Sequence, residues 1–563
     1  MKRTIFYLII TYSLLVAGCK KDFLSQPPLD QLTDQTFWTN ENNVRTFAFG
    51  FYTSYFSGYG SSYSGGVFFS RQTLNDDFGP AAPDPFPVNV PTSGGGWDFS
   101  MVRKANIFLD RVKGVPMSQE AINNWTGVGR FFRGMEYASL VNRFGDVPFY
   151  SKAVSESDSA SLYKPRDPRT LVMDSVLADF QFAAANVRVT DASTGAKGLI
   201  VNRDVVLAFM SRIFLFEGSW QKYHGGDPAK ATAYFTAAKW AANEIITKGG
   251  YSLGTGYRAL FSSLDLTGNP EMIMYRMYAS GMLTHTIMSY NNKSSQPGPN
   301  KNTMETYLCS DGLPISLSPK YKGDTTVKNV LSNRDPRISE TFDSVLHLPG
   351  IDANFSTTGY YCHLFLNDAD KDLIDGTLDQ NITDAPIIRL GEVLLNYAEA
   401  TTELGQLTQA DLDISINKLR ARNGIKIPSL QIIGGNPGVN GVIYDDPKRD
   451  PTVSSMLWEI RRERRVELIY QGFRTDDLRR WAKLDYTDTQ KNRDINRGAW
   501  IRKSTYPKTS AIIENAALAG YIIPSPNAQR IFSDPKVYLS PIPLDQITLY
   551  NDQGVVLTQN PGW

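Results

Sequence analysis

A chain of 563 residues, 42% hydrophobic and 20% charged, carries enough apolar material for a large core and for division into subdomains. Its 58 Lys and Arg against 57 Asp and Glu leave a formal net charge of +1, which excludes nucleic acid or an anionic membrane face as the main partner. The four histidines, at 224, 285, 347 and 363, are scattered, and without HExxH or a paired CxxC they do not form a zinc motif.

Met1, Lys2 and Arg3 precede an apolar run from Ile5 to Ala17, shorter than the roughly 20 residues needed to cross a hydrocarbon core. A basic start, an apolar middle and small residues at Ala17 and Gly18 mark a secretory signal. Leu15, Val16, Ala17, Gly18 and Cys19 resemble a bacterial lipobox, so residues 1–18 are expected to be removed and Cys19 to carry lipid. Acyl chains stabilise membrane attachment by about 0.8 kcal/mol per buried methylene. Residues 19–35 then read as a tether, and 36–563 as a single body with an N-terminal part to about 250 and a C-terminal part from 251.

Helical spacing dominates the body. Residues 124–144, NWTGVGRFFRGMEYASLVNRF, place Phe131, Met135, Ala138, Leu140 and Val141 at helical intervals before the stop GDVP. Residues 203–220 and 227–250 predict an αα-hairpin, with Asp227 as N-cap, Pro228 in the first turn, and Gly249 and Gly250 as terminators. The pattern recurs at 385–424. There Tyr397, Ala398, Ala400 and Leu404 line one helix, Gly405 ends it, and Ile414, Ile416 and Leu419 line the next. Helix, turn and helix at a period near ~34 residues is the grammar of tetratricopeptide repeats. The expected fold is mainly α, with tetratricopeptide-like hairpins as scaffold and long irregular loop insertions between them.

The insertions at 49–97, 281–302 and 432–451 are rich in aromatic residues, Gly, Ser and Pro, and loops of this length are usually either functional or disordered. Cys309 and Cys362 can pair or stay free; the sequence leaves both open. NDADKDLIDG (367–376) has acidic residues at 368, 370 and 372, but Leu373 stands where an EF-hand needs glycine, so it reads as a polar surface turn. In SSMLWEIRRERRVELIYQGFRTDDLRRWAK (454–483), Glu459, Glu463 and Glu467 alternate with Arg461, Arg462, Arg464 and Arg465. Pairing along the helix at three- and four-residue spacing is expected, with Gly472 as C-cap, Thr475 as N-cap and Asp476 and Asp477 in the next first turn.

This last stretch resembles the C-terminal signature of the SusD/RagB family of nutrient-binding outer-membrane lipoproteins. CKKDFLSQPP (19–28), RFFRGMEYASLVNRFGDVP (130–148), IIRLGEVLLNYAEA (387–400), INKLRARNG (416–424), YLSPIP (538–543) and QNPGW (559–563) are similar to family blocks, in the family's order. The resemblance implies a SusD-like helical fold with its ligand side on the insertions. It also implies a role as the lid of a SusC-type TonB-dependent transporter, capturing glycans or, in some members, peptides. Neither ATP nor an organic cofactor is implied. Family members often carry acidic residues after the lipidated cysteine; here Lys20 and Lys21 come first, which leaves the outward or periplasmic facing open.

A sugar presents flat apolar faces and a rim of hydroxyls, so its site needs rings and planar polar groups. The first insertion supplies Tyr52, Tyr55, Tyr59, Tyr63, Arg71, Asn75, Asp76, Asp77 and Trp97; the second supplies Tyr290, Asn291 and Asn292. By block order the resemblance points to Trp97, Asp76, Asp77, Arg71, Tyr290 and Asn291 as ligand-binding residues. There is no GxSxG elbow and no phosphate-cradling loop, and the paired carboxylates of a glycosidase cannot be read from linear sequence. Oligosaccharide capture is therefore the expectation, with peptide capture and a lipoprotein glycoside hydrolase as the alternatives.

Overall fold

The computed structural model describes residues 37–60, 68, 73–155, 157–190, 197–254 and 256–563. The signal, Cys19, the tether, Tyr63 and Arg71 lie outside the described residues. The longer helices are α1 (Glu41–Phe49), α2 (Ser100–Val112), α3 (Gln119–Phe144), α4 (Arg169–Asn186), α5 (Arg203–Tyr223), α6 (Pro228–Lys248), α7 (Leu390–Glu403), α8 (Ser455–Glu467), α9 (Arg474–Arg480) and α10 (Leu544–Asp552). From α2 to α8 each packs on the next, which is the stacked-hairpin arrangement expected of tetratricopeptide-like units. Among the described residues no helix is long and apolar enough to cross a membrane.

Local chemistry sets these helices. Ser118, Asn202 and Asp227 accept hydrogen bonds from the backbone N–H groups of the first turns of α3, α5 and α6, and Pro228 opens α6. Phe131, Phe180, Phe209, Phe214 and Leu394 are buried in the larger hydrophobic core, which α1 to α7 share. Close approach of α5 and α6 relies on Gly218, where an added Cβ would lie 2.7 Å from the Phe235 ring.

The strands are short and antiparallel. β1 (Phe78–Gly79) pairs with β3 (Gly298–Pro299), and β2 (Met272–Arg276) pairs with β4 (Ala385–Arg389) in the register Met272 to Arg389. β5 (Gln431–Ile433), β6 (Asn436–Val439) and β7 (Val442–Ile443) form a three-stranded sheet, and β8 (Trp500–Arg502) pairs with β9 (Ala519–Tyr521). A second core, including Tyr257, Phe261, Phe342, Phe365 and Tyr470, lies beneath this C-terminal region.

Some local expectations change, the open question of the two cysteines is resolved, and 367–376 is the turn expected. The helix anticipated after Gly405 is two short ones, Gln409–Asp413 and Ile416–Arg420, because Ser415 between them leaves helical geometry and turns its hydroxyl back to Asp411 O. Cys309 and Cys362 are both free and buried. The 367–376 segment is a turn whose Asp368 pairs with Arg258 at 3.0 Å and whose Asp372 pairs with Lys293 at 2.7 Å. α8 stops at Glu467 with Leu468 as its cap, and Phe473, not Thr475, precedes α9.

The charges of α8 also pair differently. Within the helix Arg462 meets Glu459 at 3.0 Å, while the other arginines and glutamates reach across the fold. Glu467 accepts from Arg337 (2.9 Å), Arg389 (2.8 Å) and Arg422 (2.7 Å); Glu463 accepts from Arg337 (2.5 Å) and Arg420 (3.1 Å). Arg389 and Arg422 also share Glu271. All of these side chains are at most 2% exposed. Burial alone would raise the Glu467 carboxyl, but the guanidiniums of Arg422, Arg389 and Arg337 outweigh it and hold it at about 2. Burial opposes ionisation of Glu399 likewise, and Arg480 brings it down to about 2.

Depressed carboxyls stabilise the folded state above their unfolded range and lose that contribution as pH falls through the folded value. Denaturant midpoints are therefore expected to hold from pH 7 to about 5 and to fall steadily from about 4.5 toward 2. Glu467→Gln, which leaves three guanidiniums short of charge, should cost about 3–5 kcal/mol at pH 7 in the same measurement. A midpoint indifferent to both changes would contradict the network's role.

Candidate ligand-binding cleft

An opening of about 810 Å³ lies where helical periodicity presents two half-exposed stripes to each other. Met135, Ala138, Ser139, Asn142 and Arg143 line one face of α3; Phe209, Arg212, Ile213 and Phe216 line one face of α5. β4 and the first turn of α7 contribute Ile387 and Glu392, the α8–α9 turn contributes Gly472 and Phe473, and the first turn of α9 contributes Asp476. Tyr55 and Tyr538 add rings from the first insertion and the C-terminal segment. The volume is that of a small-molecule site, and the lining combines aromatic faces with a few fixed polar groups.

Those polar groups are held before any ligand arrives. Glu392 takes Arg212 through both oxygens, at 2.6 and 2.7 Å, while the guanidinium stacks 4.6 Å from the Phe209 ring and 5.1 Å from Phe473. The Tyr55 hydroxyl donates to Glu136 at 2.5 Å; burial and the facing Glu136 carboxylate push its pKa up. Arg479 donates to the carbonyls of Asn142 (2.6 Å) and Tyr538 (2.8 Å), fastening α9 to α3 and to the C-terminal segment. At the rim, Gly96 (φ +78°) lies against Arg143, and a Cβ there would come within 2.2 Å of Nη1.

The loop residues singled out in the sequence are not gathered in one place. Trp97 is 7% exposed and packs edge-on against Phe144 at 5.0 Å and Phe99 at 5.4 Å. Asp76 and Asp77 are buried: Asp76 meets Arg474 at 2.7 Å and Asp77 meets Arg465 at 2.6 Å. Burial works against the Asp76 carboxylate, and Arg465 with Arg474 nevertheless holds its pKa well below the usual range. Asn291, fully buried, donates to Cys362 O at 2.7 Å, and neighbouring Tyr290 is half-buried against the C-terminal core. These groups are engaged by the fold, unlike the open loop side chains anticipated, because the insertion folds back onto α8, α9 and the helical core. Of the first insertion's tyrosines, Tyr55 reaches the cleft; Tyr59 is buried, with its hydroxyl on Phe261 O at 2.8 Å.

Arg212, Phe216, Asn142 and Phe473, which line the cleft, were not singled out from the sequence. One signal was available: Arg212 interrupts VVLAFMSRIFLF, a run otherwise apolar enough for full burial, and a charge there asks for a partner and an opening.

Residues 344–563 match the model of the SusD family. SusD-like protein P38 of Formosa agariphila is 23% identical over 510 residues, which span 84% of this chain and 90% of that protein. A SusD-like carbohydrate binding protein from Bacteroides fragilis superposes with a TM-score of 0.68 at 20% identity, over 91% of this chain and 99% of its own. The C-terminal part of the chain thus matches the SusD family, and the chain as a whole shares the fold of SusD-like proteins. A laminarin binding SusD-like protein shares the fold at a TM-score of 0.56 and 16% identity, over 93% of this chain and 100% of its own. The matched segment holds α7 to α10, hence the Glu392 and Phe473 walls of the cleft; the α3 and α5 walls precede it.

The placement of Trp97 has a measurable consequence. Trp97→Ala should lower unfolding free energy by about 3–5 kcal/mol, the range for removing a packed ring, in chemical denaturation. A loss below about 1 kcal/mol would mean the ring is a surface platform and not a core contact.

Proposed function

We propose that this protein is a SusD-like surface lipoprotein, anchored through Cys19, that binds oligosaccharides in the α3–α5 cleft and delivers them to a SusC-type TonB-dependent outer-membrane transporter. The observation that carries the reading is the composition of the cleft. Rings at Tyr55, Phe216 and Phe473 stand beside the Arg212–Glu392 pair and Asn142 in an open space of about 810 Å³. Ring faces stack on pyranose faces, and immobilised planar polar groups meet the hydroxyl rim at little ordering cost. Carbohydrate and laminarin binding named for two proteins of the same fold supports the ligand class.

Binding is favoured over bond cleavage by the state of the carboxylates on the walls. Glu217 pairs with Arg169 at 2.7 Å, Glu392 with Arg212 at 2.6 Å, Asp477 with Arg464 at 2.8 Å and Asp476 with Arg479 at 3.3 Å. A retaining or inverting glycosidase needs one carboxyl able to keep its proton and another left to act as base or nucleophile. Paired carboxylates such as these serve as fixed acceptors.

Calorimetry against a panel of neutral oligosaccharides and of peptides tests the reading. A saturable neutral glycan is expected. Phe473→Ala should weaken it by about 1–3 kcal/mol, the range for losing one stacked ring under a flat ligand. Peptide binding in place of glycan, or glycan turnover at substoichiometric protein, would contradict it.

A further inference from the structure

A second cavity, of about 430 Å³, shares no lining residue with the cleft although α8 and α9 contribute to both. Two guanidiniums that line it lie over one ring: Arg461 is 4.2 Å and Arg474 5.8 Å from the Trp481 centroid. Neither is fully used. Among the described residues Arg461 donates once, from Nη2 to Glu403 at 3.3 Å; its Nε, 4.0 Å from Glu399, has no hydrogen-bond partner. Arg474 places Nε and Nη2 on Asp76, each at 2.7 Å, and Nη1 makes no hydrogen bond among the described residues. Arg461 is 5% exposed, so its charge is fixed in position and poorly hydrated.

The carboxylates around this cavity are already taken. Asp450 pairs with Lys483 at 2.6 Å, Glu305 with Lys448 at 2.5 Å, Asp494 with Arg497 at 2.9 Å, and Asp446 with Arg462. The half-buried rings of Trp458 and Tyr486 supply an apolar wall. Unspent guanidinium N–H groups beside exposed ring surface suit a ligand with an anionic group on a flat, partly apolar body. Five carboxylates on the same walls oppose a dianion more than a monoanion, which favours carboxylate over phosphate.

We propose that this cavity is a second binding site, specific for a sugar unit bearing a carboxylate, a uronic acid residue, with the carboxylate on Arg461 and Arg474 and the ring against Trp458. The choice of a sugar as the carrier of the carboxylate rests on the reading of the preceding subsection; the anion preference does not.

Titration of the purified protein with digalacturonate and with its neutral counterpart galactobiose, followed by tryptophan fluorescence and calorimetry, tests this. Digalacturonate is expected to bind at least tenfold more tightly, with the advantage shrinking as salt rises. Trp458→Ala and Arg461→Gln should each weaken it at least tenfold with the circular dichroism spectrum retained, whereas Trp240→Phe, on the exposed face of α6, should leave it unchanged. Should Arg461→Gln fail to fold, Trp458→Ala alone decides. Equal affinity for galactobiose, digalacturonate binding that survives Trp458→Ala, or displacement by an equal concentration of a peptide carboxylate or a sugar sulfate would overturn the proposal. Digalacturonate bound here without any neutral glycan in the cleft would sustain this site and overturn the cleft reading; neutral glycan without digalacturonate would do the reverse.

Discussion

Glu467 accepts hydrogen bonds from three guanidiniums that arrive from distant parts of the chain: Arg337 from a short helix, Arg389 from the end of β4 and Arg422 from the segment after Ile416–Arg420. Ions this deeply buried are costly unless every charge finds its counterpart, and removing one partner strands the rest. The arrangement therefore acts as a constraint on register. β4, the 337–341 helix and the 422 turn must all be in place together, or the charges of α8 remain unpaired in a low-dielectric interior.

The same helix positions both cavities. Arg464 holds Asp477 and so sets α9, while Arg465 holds Asp77 and Arg474 holds Asp76, tying the first insertion to the C-terminal region. Phe473, between Gly472 and α9, is consequently carried on a turn braced at both ends, and the aromatic wall of the cleft inherits that rigidity. Asp76 and Asp77 thus serve the cleft indirectly, as anchors for its neighbourhood. A site with pre-positioned rings and donors spends less free energy on ordering when a flexible glycan binds.

Helices, their caps and their stacking were legible because each depends on nearby residues: Asp227 and Pro228 start α6, and Gly145 follows the last residue of α3. The β2–β4 pairing was not, since Met272 and Arg389 meet only once the helical stack has brought them together. The α8 alternation of Glu and Arg suggested local pairs, but burial of that helix turned its charges toward elements more than a hundred residues away, such as Arg337. For the site, of the residues read from the insertions Tyr55 lines the cleft, whereas Trp97, Asp76, Asp77 and Asn291 are buried elsewhere in the fold. A tyrosine or tryptophan on a glycine-rich loop can cover the core or face solvent, and Trp97 and Tyr55 show the two outcomes within one insertion.

The central claim, that stacked helices clamped by buried ion pairs present an aromatic cleft to glycans, is tested most directly by a crystal structure with a neutral oligosaccharide bound. Sugar rings are expected against Phe473 and Phe216, with hydroxyls on Arg212, Glu392 or Asn142 and those side chains unmoved from their positions in the free protein. Sugar bound elsewhere with the α3–α5 cleft empty, or a cleft assembled only after Arg212 leaves Glu392, would contradict it.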